Sequence, residues 1–144
     1  MKAIQRYRHC FVCGDNNENG LKIDFYYSDG KARAEYVPAR NFEGYKDILH
    51  GGILSTLLDE VMIKSILANG LLTVTSQIEV KFKAPAQIGK KIILEGKIKE
   101  NRARLILAEG KAFTQDGEII AISKGTYFKV KGQMKKQLER SFDK

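Results

Sequence analysis

The run His50-Gly51-Gly52-Ile53-Leu54-Ser55-Thr56-Leu57-Leu58-Asp59-Glu60 sets an imidazole, two glycines and a carboxylate around one apolar segment. Gly51 and Gly52 take side chains away where a helix would begin, so a ligand can approach the backbone N–H groups that every helix start leaves unpaired. Such donors suit a developing oxyanion. The segment from Ile53 to Ala68 is apolar on nearly every face, which predicts a helix wrapped by other structure. A charge on such a helix needs a partner or a task. Glu60 has Lys64 four residues on and is expected to pair with it along a solvent-reaching edge. Asp59 has only Ser55 and Ile63 at that spacing, which makes it the candidate catalytic acid or an interface residue. His50 suits either the reaction itself or a helix cap.

The spacing carries a further consequence. Nine helical steps turn the chain by about 900° and advance it by roughly 13 Å, placing His50 and Asp59 on opposite sides of the helix. They cannot serve one reacting centre within one chain. If both act, the site lies between two copies, which predicts a symmetric homodimer with two composite sites, or a dimer of dimers.

The elements that must hold these residues are legible on either side. Met1 to Gly20 reads as an arm ending in the turn formers Gly14 to Gly20. Alternation from Leu21 to Tyr27, a Ser28-Asp29-Gly30 turn and a strand to about Val37 predict a hairpin. The helix should stop at Asn69-Gly70. Thr73 to Lys83, Lys90 to Glu100, Ala103 to Thr114 and Glu118 to Lys131 read as four strands, with turns at Asn101-Arg102 and Asp116-Gly117. Small residues at Gly96, Ala108, Gly110, Ala112, Ala121, Ser123 and Gly125 would let a curved sheet close on the helix. The expectation is an α+β fold, an antiparallel sheet wrapped around one central helix. Thr73 to Lys83 is the edge expected to meet its twin. The tail from residue 131 to 144 reads as a short helix or frayed end.

With 144 residues, 43% of them hydrophobic, the chain suits a single domain spanning 1–144. Its 25 basic and 17 acidic residues give a net charge of +8, which invites a polyanionic partner. Much of the excess sits in the tail, at Lys131, Lys135, Lys136, Arg140 and Lys144, and no aromatic and arginine platform shows on the strands; nucleic acid is not expected. No apolar stretch reaches the roughly 18 residues that cross a bilayer, and the residues Met1 to Arg6 are not signal-like, so a cytoplasmic protein without membrane attachment is expected. Cys10 and Cys13 are the only cysteines. A zinc site would have to borrow acids or be shared between subunits, and no strand-then-helix context supports a redox dithiol. The expectation is two reduced, partly buried thiols in a turn, with no metal.

Three stretches together resemble the hotdog-fold acyl-CoA thioesterases of the PaaI-like, phenylacetyl-CoA-type branch, over nearly the whole span from Cys10 to Val130. They are His50-Gly51-Gly52 with Asp59 nine residues on, Cys10-Phe11-Val12-Cys13-Gly14 followed by Asn19-Gly20-Leu21, and the strand Thr75 to Pro85. The resemblance implies hydrolysis of acyl-CoA thioesters without metal or redox cofactor. It implies that Asp59 is the essential carboxylate, as general base or as nucleophile. By the same likeness, the Gly52 N–H polarises the thioester carbonyl, His50 positions that carbonyl or orders the loop, and Thr75 orients the carboxylate or the water. Gly51, Phe42 and Tyr45 would line the acyl pocket, and Lys83, Arg102 and Arg104 would meet the phosphates of coenzyme A. Two alternatives stay open: an acyl-CoA hydratase or dehydratase, whose close acid and histidine pair Asp47 to His50 does not match, and a non-catalytic acyl-CoA-binding protein, against which Asp59 argues.

Overall fold

The computed structural model describes residues 1–143; Lys144, counted above with the basic tail, lies outside them. The strands are β1 (Lys2–Ala3), β2 (Tyr26–Ser28), β3 (Lys31–Tyr36), β4 (Thr73–Phe82), β5 (Ile92–Asn101), β6 (Leu105–Thr114) and β7 (Ile119–Lys129), with helices α1 (Gly51–Leu67) and α2 (Gly132–Glu139). They form one antiparallel sheet in the order β1-β2-β3-β5-β6-β7-β4. The β2–β3 turn has left-handed φ at Asp29 (54°) and Gly30 (76°), the geometry a two-residue hairpin requires.

Helix α1 lies against the inner face of this sheet, with Leu57, Leu58, Val61, Met62 and Ile66 fully buried. Small residues allow the close approach. A Cβ on Gly96 would stand 2.4 Å from the Val61 carbonyl oxygen, so β5 reaches the helix backbone only because that side chain is missing. This is the hotdog arrangement that the resemblance implies.

Three expectations are corrected. The arm is not a free loop: β1 joins the sheet beside β2, and Ile4, Val12 and Cys13 are buried in the core. The strand expected from Leu21 to Tyr27 shrinks to Tyr26–Ser28, because Lys22 turns to φ 54° and the N–H groups of Leu21 and Ile23 bond instead to the carbonyls of Phe11 and Val12. That arm also seals the edge where Lys64 was expected to reach solvent. Lys64 is 0% exposed, its Nζ donating to the Gln5 carbonyl and lying 4.2 Å from the Tyr7 ring centre. The tail resolves as α2 and a 3-10 turn at Arg140–Phe142, which returns to the arm through an Arg8 N–H to Ser141 carbonyl bond.

Strand β4 carries one irregularity that matters to the site. Thr75 stands opposite Tyr127 and Gln77 opposite Thr126, leaving Ser76 as the extra residue of a bulge. Thr73 is buried ahead of it, and Ile78 and Val80 are the more buried residues after it. The inward face thus switches from odd to even positions. The bulge lets Thr75 point toward α1 while Ile78 and Val80 still pack inward.

Candidate active site

Asp59 stands on the third turn of α1, half-exposed, where the helix crosses β4 and β7. Two hydroxyls hold its carboxylate. Thr75 Oγ1 donates to Oδ1 at 3.0 Å and approaches Oδ2 at 3.3 Å, and the Tyr127 hydroxyl donates to Oδ1 at 2.9 Å. Tyr127 is fully buried. Burial first, and the Asp59 charge after it, push its hydroxyl well above the ordinary tyrosine range, so it remains a donor to the carboxylate. Gly125 makes this reach possible, since a Cβ there would lie 2.5 Å from the Tyr127 ring and 2.7 Å from its hydroxyl. The Thr75 position beside the acid agrees with the sequence reading; Tyr127 was missed.

Glu60, the next residue, faces away into the arm. Burial is the main cause that pushes its carboxyl up to about 8, against the opposing effect of Lys64. Of the two adjacent acids, Asp59 is the more exposed.

The helix start lies elsewhere. His50 is the N-cap of α1, and its Nδ1 accepts the Gly52 N–H at 2.9 Å. The ring fits tightly. A Cβ on Gly52 would come within 3.0 Å of its Cε1 and Nδ1, and one on Gly44 within 3.1 Å of the His50 Cα. The capping role weighed for His50 is the one it takes here, and the donor assigned to Gly52 is spoken for. Among the described residues the Gly51 N–H has no hydrogen-bond partner, so the free donor at this helix start is one position earlier than expected.

An open cleft of about 960 Å³ runs past this point, lined among others by Tyr45, His50, Gly51, Leu54, Phe82 and Lys83. Tyr45 and Lys83 line this cleft. Phe42 does not: it turns inward against the core, with its ring edge-on to Phe11 at 6.2 Å. Arg102 and Arg104 are exposed at the β5–β6 turn. Arg102 pairs with Glu100 at 3.0 Å, and the Arg104 carbonyl accepts the N–H of Lys129, the residue opposite Thr73 at the far end of β4. Asp59, Thr75 and Tyr127 are absent from the cleft's lining. One chain therefore offers a held carboxylate at one place and a free helix-start donor at another.

The family model for the thioesterase superfamily matches residues 46–121, more than half of the chain and the stretch containing His50, Gly51, Asp59 and Thr75. The chain belongs to the thioesterase superfamily. An uncharacterised protein of Schizosaccharomyces pombe is 35% identical over 74 residues, which cover 47% of this chain and 42% of that protein, so the match spans under half of its relative's length. Among solved structures, a thioesterase superfamily protein superposes with a TM-score of 0.80 at 25% identity, over 84% of this chain and 60% of its own. The PaaI protein of the Escherichia coli phenylacetic acid degradation operon gives 0.72 at 19% identity, over 78% and 82%. A hypothetical thioesterase of Streptococcus pneumoniae, crystallised with coenzyme A, gives 0.71 at 18% identity, over 75% and 88%. The fold is that of the PaaI-like hotdog proteins.

Proposed function

We propose that this thioesterase superfamily protein hydrolyses acyl-CoA thioesters at a site shared by two copies of the chain, the Asp59 carboxylate from one and the free Gly51 N–H from the other. The observation that carries this reading is a separation: the carboxylate with its two hydroxyl donors and the unpaired helix-start donor do not share a cleft within one chain. Among the described residues, strand β4 is an unpaired sheet edge. Antiparallel pairing of β4 with the same strand of a second copy sets the Thr75 end of one beside the Phe82 end of the other. The Phe82 ring lies 3.8 Å from where Gly51 would carry a Cβ, so this pairing carries one copy's Asp59 toward its partner's helix start. It also brings Arg102 and Arg104 to the mouth of the partner's cleft, where they would meet the phosphates of coenzyme A with Lys83.

In this reading Asp59 acts as general base. Oδ1 is occupied by both hydroxyls, which leaves Oδ2 as the freer oxygen to take a proton from water. The water oxygen attacks the thioester carbonyl, and the developing oxyanion receives the Gly51 N–H at the positive end of the helix. Gly52 contributes indirectly, by donating to His50 and fixing the cap. Collapse breaks the carbon–sulfur bond, and the leaving thiolate takes the proton held by Asp59. The products are a free acid and coenzyme A.

A panel of acyl-CoA esters assayed for thiol release, with Asp59→Asn as control, tests the activity. The account expects turnover by the wild type and loss in the variant; equal turnover by both would refute it. Hydrolysis in oxygen-18 water under single-turnover conditions should place the label in the acid product alone. Label in Asp59 would instead mark it as a nucleophile forming an anhydride.

A further inference from the structure

One residue on from Asp59, on the adjoining face of α1 that the N-terminal arm covers, folding brings a third side chain, Glu60, to the two cysteines. One ligand atom each from Cys10, Cys13 and Glu60 lies within 4.8 Å of the others. We propose that these three residues bind a zinc ion, with water as fourth ligand, which ties the N-terminal arm to the helix turn bearing the catalytic acid. The assignment is independent of the reaction proposed above.

Four observations support it. Tetrahedral zinc, with sulfur at about 2.3 Å and oxygen at about 2.0 Å, needs ligand atoms roughly 3.5 to 3.8 Å apart. Cys10 Sγ and Glu60 Oε2 are 3.6 Å apart. Both sulfurs also accept backbone N–H groups, Cys10 from Val12 at 3.3 Å and Cys13 from Tyr7 at 3.4 Å, bonds that fix the direction in which each sulfur presents its lone pairs.

The loop is built to hold that shape. The Gly14 N–H closes the turn onto the Cys10 carbonyl at 2.9 Å, and a Cβ on Gly14 would lie 2.5 Å from the Cys10 nitrogen and 2.7 Å from the Arg8 carbonyl oxygen. No other residue fits this Cys-x-x-Cys-Gly turn without opening it. Charge completes the case. Two thiolates and a carboxylate around a divalent ion leave one negative charge, and the Lys64 ammonium, wholly buried 3.9 Å from Glu60 Oε2, balances it. Cys13 is buried while Cys10 is half-exposed, so ion and water would enter on the Cys10 side.

The test uses the full-length protein, purified without chelator from zinc-supplemented cells. Elemental analysis should give about one zinc per chain. Both thiols should resist a thiol reagent until a chelator removes the metal. Replacement by cobalt(II) should give thiolate charge-transfer and tetrahedral absorption bands. Cys10→Ser should lose those bands and the zinc, and Glu60→Gln should bind zinc at least 10-fold more weakly. Should a variant fail to fold, the wild-type metal content, thiol protection and cobalt spectrum decide alone. The proposal is overturned by reconstituted wild type that holds far less than one zinc per chain. It would be overturned whether the thiols were then free or the mass showed the loss of two hydrogens to a Cys10–Cys13 disulfide.

Discussion

Tyr127, 68 positions along the chain from Asp59, donates its buried hydroxyl to Asp59 Oδ1 at 2.9 Å, so the candidate acid is held by the sheet as well as by its own helix. Thr75 completes that hold from the bulge on β4. The acid thus has one oxygen held by both hydroxyls and one that meets only Thr75, at 3.3 Å, the asymmetry on which the proposed general-base role rests.

Asp59→Asn should lower kcat by about 10²- to 10⁴-fold, the usual range for a positioned general base. An amide oxygen can still accept from Thr75 and Tyr127, so the thermal midpoint should stay close to wild type. Steady-state kinetics beside a thermal melt checks both halves.

Tyr127→Phe removes a donor to a charged group and should cost about 1.5 to 3 kcal/mol of stability near neutral pH. The sign with pH follows from the raised folded value. Below the ordinary tyrosine value of 10.0 both states keep the proton and the contribution is whole; above it the unfolded chain sheds the proton first, and the stabilisation drains away. Wild type should therefore lose stability more steeply than Tyr127→Phe above about pH 10. Denaturant melts across the alkaline range measure this; parallel slopes would contradict it.

His50→Ala should cost about 1 kcal/mol through the lost cap, and His50→Asn should restore most of it, because an asparagine oxygen can accept the same N–H. Comparing kcat for the pair separates capping from direct chemistry. Activity that returns with the cap places His50 in a positioning role.

Gly51→Pro probes the free donor with little collateral change. Gly51 is the first helical residue, a position where proline is at home, and His50 at φ −56°, ψ 131° already has the backbone that precedes a proline. The variant should fold with an unchanged melting temperature and lose about 10²- to 10³-fold in kcat.

The helix, its glycine start, the carboxylate on it and the alternating strands were legible because periodicity, turn residues and charge on an apolar face are local signals. What could not be read is what folding brings from afar. A tyrosine at an inward strand position reads as core, and nothing local to Tyr127 reports its hydroxyl's partner. Glu60 reads as an i,i+4 partner of Lys64, and only the arm's path turns that pair inward and adds the cysteines. Phe42 ends a short 3-10 turn, Arg40–Phe42, before the helix, where sequence gives no direction for its ring. Gly51 and Gly52 are indistinguishable by type, and only the His50 side chain decides which N–H stays free.

The shared site is tested most directly by mixing two inactive proteins. Asp59→Asn and Gly51→Pro each spoil both sites of their own homodimer, yet a mixed dimer carries one site with Asp59 and Gly51 intact. After subunit exchange at equal amounts, the account expects about a quarter of wild-type activity, since about half the dimers are mixed and each has one working site of two. No recovery on mixing, with exchange confirmed by mass, would show that one chain holds the whole reaction centre and would contradict the account.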